Sequence, residues 1–201
     1  MPTRALIVVD VQNEYVTGKM RITYPDVYES LANVGRAMDF AREYAMPIVV
    51  IQQSEPEDAV VFARGSDGFD LHDVVGERHR DVLLTKEMPS AFPETGLDAW
   101  LRARDVDTVV VVGFMTQHCV ESTIRDAMHR GFDVEFLADA AGTLDLVDQA
   151  GARSAREIHE TACVVLQTGF AAVTSTGAWM DTVRAGASPE RSDVFRASRR
   201  S

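Results

Sequence analysis

The chain has 201 residues, 46% of them hydrophobic, enough for one globular domain to bury its own core without a second. Its formal charge of -11 disfavours nucleic acid as a partner, because a polyanion is held by a basic face that releases counterions. No apolar run is long enough to span a bilayer, no signal-peptide cleavage pattern accompanies the start MPTRALIVVD, and Cys119 and Cys163 form neither a disulfide scaffold nor a metal-ligand spacing, so a cytoplasmic protein acting on a small molecule is expected.

Ala5 to Val9 form a continuous apolar run ending at Asp10, a buried strand with a carboxylate at its C-terminal end. The polar VQNEYVTGKM that follows suits a loop. From Pro25, the residues Val27, Leu31, Val34 and Met38 recur at helical spacing towards Tyr44, and the helix stops before Pro47. Ile48 to Ile51 make a second strand, followed by Gln52, Gln53 and Ser54. Residues 55–80 lack sustained periodicity and are expected to be a long excursion shaping a rim or an interface. Asp81 to Leu84 form a third short strand that leads into Thr85-Lys86 and the loop EMPSAFP, and a helix carrying Leu97, Trp100 and Leu101 begins near Glu94 or Thr95.

Val109 to Val112, bounded by Gly113, make a strand buried on both faces. Val120, Ile124, Ala127 and Met128 then follow a helical period that Gly131 ends, with Glu121-Arg125 and Asp126-Arg130 as i,i+4 pairs. Cys119 therefore falls at a helix N-terminus, where unpaired N–H groups and the macrodipole favour a thiolate. A fifth strand spans Val134 to Leu137, a helix runs from about Leu146 to Leu166, and Ala171 to Val173 are a short sixth strand. Strands alternating with helices predict an α/β protein, a mostly parallel sheet covered on both faces. One domain over residues 1–185 is expected, with a polar tail over 186–201 that is either mobile or an arm gripping another subunit.

Asp10, Lys86 and Cys119 each fall just after a strand, and a parallel sheet opens all such ends on one edge. Singly, each has an ordinary reading: a turn former, a solvated cation and a small buried hydrophobe. Together they supply the base, the positive charge and the nucleophile that acyl transfer needs. The chain holds only two lysines, Lys19 and Lys86, against eighteen arginines. A lysine kept in that background points to a need for a compact ammonium.

DVQNEY after the first strand, KEMPSAF after the third and GFMTQHCVES after the fourth resemble the signature segments of the isochorismatase-like cysteine hydrolases, a superfamily that includes nicotinamidases, N-carbamoylsarcosine amidases and ureidoacrylate amidohydrolases. The resemblance runs from about Ala5 to Thr176. It implies a three-layer α/β/α fold with a six-stranded parallel sheet of order 3-2-1-4-5-6, and Asp10, Lys86 and Cys119 as a catalytic triad. The third strand would then lie two places, roughly 10 Å, from the first, so the KEMPSAF loop would have to run back across the sheet edge. A cis peptide between Phe114 and Met115 is implied too, aiming the N–H groups of Met115 and Cys119 at an oxyanion. Cys119 makes vinyl-ether hydrolysis a poor match, since isochorismatases proper lack that cysteine. Gln52, Gln53 and Ser54 stand where nicotinamidases carry a metal cluster, so neither a metal nor another cofactor is expected.

The resulting expectation is a cysteine amidohydrolase that cleaves a carbon-nitrogen bond of a small amide, carbamoyl or lactam-like molecule through a thioester. Expected pocket walls are Gln12, Asn13, Tyr15, Phe62, Phe92, Met115 and Gln117. A homo-oligomer, dimer or tetramer, is expected. His72, His79, His118, His129 and His159 make no ligand pair and read as surface or helix-face residues, and His118 is not expected to face its neighbour Cys119. Two rival readings remain: a thiol oxidoreductase built on Thr116-x-x-Cys119 with Cys163 as resolving thiol, and a catalytically silent binding member of the fold. The first has Val112 where thiol peroxidases place a proline and leaves Asp10 and Lys86 unexplained.

Overall fold

Residues 2–199 are described by a computed structural model. Six parallel strands form the centre: β1 (Arg4–Val9), β2 (Ile48–Gln53), β3 (Val82–Lys86), β4 (Thr108–Phe114), β5 (Asp133–Gly142) and, last in the chain, β8 (Ala172–Thr174), in the spatial order β3-β2-β1-β4-β5-β8. Two further strands, β6 (Leu146–Asp148) and β7 (Gly151–Arg153), pair only with each other. Counting the strands of the main sheet alone, the order is the 3-2-1-4-5-6 expected from the sequence.

Alternation along the strands divides the core in two. Leu6, Val8, Val110 and Val112 face α1 (Val27–Glu43), α2 (Asp73–Gly76) and α6 (Thr176–Arg184). Ile7, Val9, Val109 and Val111 face α3 (Leu97–Arg102), α4 (Glu121–His129) and α5 (Ala155–Gln167). Both faces of β1 and β4 are therefore apolar, as a doubly covered sheet requires. Among the described residues no helix is long and apolar enough to cross a membrane.

β1 and β4 lie side by side, with Val9 opposite Gly113. Gly113 has a φ of 113°, and a Cβ there would run into the backbone of Val9. Gly113→Ala should thus cost about 3 kcal/mol or more, from backbone strain and a clash that neither central strand can relieve. A urea titration checks this, and an unchanged midpoint would show that the seam has slack.

The segment expected as one helix from Leu146 to Leu166 divides. Leu146–Asp148 and Gly151–Arg153 form an exposed hairpin whose turn is closed by Asp148 Oδ1 accepting from Ala150 N at 2.6 Å, with Gly151 at φ 138°. The helix starts later, at a capping box in which Ser154 and Glu157 satisfy each other's backbone N–H groups. α6, absent from the sequence reading, buries Trp179 completely, and its indole donates to Glu135 Oε2 at 2.7 Å. Arg4 pairs with the same carboxylate at 2.8 Å and also donates to the Ala187 carbonyl and to Ser188 Oγ. Farther along, Ser192 N donates to the Gln167 carbonyl, and α7 (Val194–Ala197) follows.

Candidate active site

β1 ends at Val9, and Asp10 turns the chain away with a left-handed φ of 51°, a conformation that aspartate adopts more readily than most residues. Lys86 is the last residue of β3, in register with Gln53 of β2. Its side chain reaches past that neighbour, and Nζ lies 2.6 Å from Gln53 Oε1, 2.7 Å from Asp10 Oδ2 and 3.3 Å from Cys119 Sγ. A long unbranched stem ending in a compact ammonium is what such a span needs. The loop after Lys86 docks on α4 through Ser90 Oγ to Asp126 and Ala91 N to Thr123 Oγ1.

Cys119 does not open a regular helix. It lies in a π-helical turn, Thr116–Val120, that precedes α4, and the turn follows a cis Phe114–Met115 peptide bond. Thr123 Oγ1 donates to the Cys119 carbonyl at 2.7 Å, and the Thr116 hydroxyl lies 2.8 Å from His159 Nδ1, so both ends of the turn are held. The Met115 N–H has no hydrogen-bond partner among the described residues. Contrary to the sequence expectation, His118 does approach its neighbour, with Nδ1 3.5 Å from Cys119 Sγ. His159 lies on a face of α5, one of the two places the sequence left open for it. It is buried, and burial holds its pKa below the usual imidazole range.

Asp10, Lys86 and Cys119 share one buried site. Burial pushes the Asp10 pKa above the ordinary carboxylate range, with Lys86 offsetting part of the rise. Burial works against the charge on Lys86, but Asp10 and Cys119 more than compensate, and it stays protonated. Burial and then the Asp10 carboxylate push the Cys119 thiol up to about 12. This reverses the thiolate expected from a helix N-terminus. Burial and the neighbouring carboxylate act against the charged sulfur, in the opposite direction to the helix end. The resting sulfur is therefore a thiol beside a carboxylate that can take its proton. Cys119 alkylation by iodoacetamide should accordingly rise about tenfold per pH unit from pH 7 to pH 10, because only the thiolate reacts. Site-resolved mass spectrometry checks this, and a plateau near neutral pH would restore the low-pKa thiolate.

Above Cys119 lies a cavity of about 240 Å³. Of the expected walls, Tyr15, Phe62 and Met115 line it, with the Tyr15 ring packed 5.1 Å from Phe62 and 5.7 Å from Phe114. The others lie elsewhere. Gln12 is fully buried and ties β2 to the loop, donating to the Gln53 and Phe69 carbonyls and accepting from Gln53 N. Asn13 bonds to the Asp70 carbonyl through its backbone. Phe92 packs against Phe132 in the core on the α3–α4–α5 face. Gln117 lines a separate surface cavity beside α5. Sequence reasoning missed Gln53, Glu55, Glu87 and His118 as polar walls, and Met20, Val61 and Pro89 as apolar ones. Gln53 ends β2 opposite Lys86, and its place at that sheet edge is the signal in the sequence that marks it.

A larger cavity, about 560 Å³, lies between α5 and the tail. It is lined by Cys163 and holds none of the three converging groups, so the smaller one is the better site. Cys163 lies against His159 Nε2 at 3.6 Å, and burial pushes its thiol to about 11. It does not line the cavity above Cys119, and the Thr116 hydroxyl bonds to His159; neither arrangement is that of a peroxidase pair.

A covered parallel sheet that gathers a carboxylate, an ammonium and a thiol beside a cavity at the strand ends is the architecture of a small-molecule α/β enzyme. Comparison with known proteins narrows the class. An Isochorismatase domain matches residues 4–178; the chain belongs to the isochorismatase family and is a hydrolase. A crystal structure from Burkholderia xenovorans LB400, provisionally named an isochorismatase, shares 51% identity with a TM-score of 0.97, covering 98% of this chain and 95% of its own. Ureidoacrylate amidohydrolase RutB of Methylobacterium radiotolerans is 31% identical over 88% of this chain and 78% of its own length. N-carbamoylsarcosine amidase of Thermoplasma acidophilum is 26% identical with a TM-score of 0.70, covering 88% of this chain and 97% of its own.

Proposed function

We propose that the protein is a cysteine-dependent amidohydrolase that cleaves a carbon-nitrogen bond of a small amide, carbamoyl or lactam-like substrate. The observation that carries this reading is the contact of one buried ammonium with both Asp10 and Cys119. Asp10 takes the thiol proton as Cys119 Sγ attacks the substrate carbonyl, so the thiolate exists only while the new bond forms. Lys86 stays charged throughout and balances whichever of the two groups is anionic.

The tetrahedral oxyanion is received by the N–H groups of Met115 and Cys119, preorganised donors of a kind worth about 3 kcal/mol each. Asp10 then returns its proton to the leaving nitrogen, and the carbon-nitrogen bond breaks to give a thioester. Water adds to the thioester with Asp10 again as base, and the acid product leaves with the thiol regenerated. The two relatives named for their substrates act on ureidoacrylate and N-carbamoylsarcosine, both carbamoyl compounds, which supports the bond type.

An ammonia-release screen across amides, ureides and carbamoyl compounds tests the proposal, with Cys119→Ala as the control. Ammonia release that the alanine variant matches would sink it. Turnover should also survive dialysis against a chelator, because Gln52 and Gln53 are engaged with protein partners: Gln52 Nε2 donates to the Phe69 carbonyl at 2.9 Å, and Gln53 bonds to Lys86 and Glu55. Activity lost on dialysis and restored by a divalent ion would contradict the metal-free mechanism.

A further inference from the structure

We propose that the cavity above Cys119 takes an amide that bears no carboxylate, and that Glu55 receives an N–H or ammonium group of that substrate. This rests on the cysteine-hydrolase reading and adds the charge class of the molecule hydrolysed.

A substrate carboxylate is held best by a cation, above all by a forked guanidinium. Among the described residues, no lysine or arginine lines the cavity. Lys86, beneath it, has three N–H donors and three acceptors already in place, Gln53 Oε1, Asp10 and Cys119, so none remains for a ligand. Lys19 and Arg64 lie outside the lining, Lys19 Nζ on the Val60 carbonyl at 2.7 Å and Arg64 beside Glu87 at 3.8 Å and Ser54 Oγ at 3.5 Å.

The polar side chains that do line the cavity are Glu55, Glu87, Gln53, His118 and Tyr15, with two carboxylates among them. Glu55 is also fixed in place. An ammonium can only donate, so Gln53 must turn its oxygen to Lys86 and its amide nitrogen to Glu55 Oε1, at 2.7 Å. No hydrogen bond or ion pair among the described residues engages the other oxygen of Glu55. A positioned carboxylate with a spare acceptor, on a wall otherwise built from Tyr15, Phe62 and Met115, is the kind of polar anchor that orients a donor. A substrate anion would meet Glu55 and Glu87 instead, and like charges at close range in a partly dry cavity repel.

Two thiosulfonate reagents of matched size test the assignment without a known substrate. Each transfers its thioalkyl group to a thiolate with loss of methanesulfinate; one carries a 2-aminoethyl cation, the other a 2-sulfonatoethyl anion. Modification of Cys119 is followed at pH 8 by site-resolved mass spectrometry, with each rate divided by that of 2-mercaptoethanol. The cationic reagent should react at least about tenfold faster at Cys119. In Glu55→Gln, which keeps the shape of the side chain, the ratio should fall below about threefold. Glu29→Gln, an exposed charge on α1, should leave the ratio unchanged and so separate a local effect from the field of the whole molecule. Equal or reversed rates in the wild-type protein would overturn the charge class. An unaltered ratio in Glu55→Gln would overturn the role of Glu55. If both reagents modify Cys163 and neither touches Cys119, the nucleophile assignment falls and this inference falls with it.

Discussion

Replacing Cys119 with alanine should reduce amide turnover at least ten-thousand-fold, on the order of what removing a covalent nucleophile costs. Without the sulfur there is no thioester, and Asp10 is left to activate water across a gap that the thiol filled. The variant should fold normally. The lost atom is small, and a buried thiol that shares one ammonium with a carboxylate contributes little net stability of its own. A thermal melt within a few degrees of wild type, alongside the missing activity, would assign the effect to chemistry. Cys163→Ser serves as the control, because Cys163 lies outside the cavity above Cys119 and should keep activity within about twofold. Activity that follows Cys163 instead would overturn the assignment.

Lys86→Arg should lower kcat at least about a hundredfold with the circular dichroism spectrum unchanged, the scale seen when one positioned catalytic group is removed. The ammonium sits 2.6 Å from Gln53, 2.7 Å from Asp10 and 3.3 Å from Cys119, a three-way contact around one atom. A planar guanidinium spreads its donors over a fork and is too wide for that point. Lys86→Met goes further: it strands Asp10 as a buried carboxylate with no counter-charge and should cost about 3–5 kcal/mol of stability as well as activity. If arginine supports near wild-type turnover, the ammonium is only structural, and the mechanism reduces to Asp10 and Cys119.

The central strands were legible because they are runs of Val, Ile or Leu, and their order followed from the resemblance of the three signature segments. Asp10 and Lys86 could be found because each stands at the C-terminal end of such a run, and Cys119 because it falls in the turn between the fourth run and its helix. What failed had local causes. Residues 146–166 have helix-compatible composition throughout, and only the Asp148–Gly151 turn and the Ser154 cap divide them. α6 was missed because Thr176–Arg184 carries one dominant apolar residue, Trp179, whose burial depends on partners far away in the chain. Gln12, Asn13 and Phe92 were misplaced because proximity to Asp10 or Lys86 in sequence does not fix which way a side chain points. The thiolate was misread for a related reason. The helix end was visible in the sequence, while the depth of burial that outweighs it was not.

The main sheet carries a buried ion pair at each of its two edges. At the edge where the strands leave, Lys86 and Asp10 lie buried beneath the cavity; at the edge where they enter, Arg4 and Glu135 meet Trp179 and reach the first residues of the tail. Between them lies the packed apolar core, aliphatic and aromatic, of both sheet faces. Natural selection can therefore act on the two edges almost independently. A lineage could trade one substrate for another by altering the loop that carries Glu55, while the Arg4 cluster goes on fixing how β1, β5 and α6 meet. Divergence within the family need not pass through unstable ancestors, because the residues that adapt and the residues that hold the ends of the sheet together are different ones.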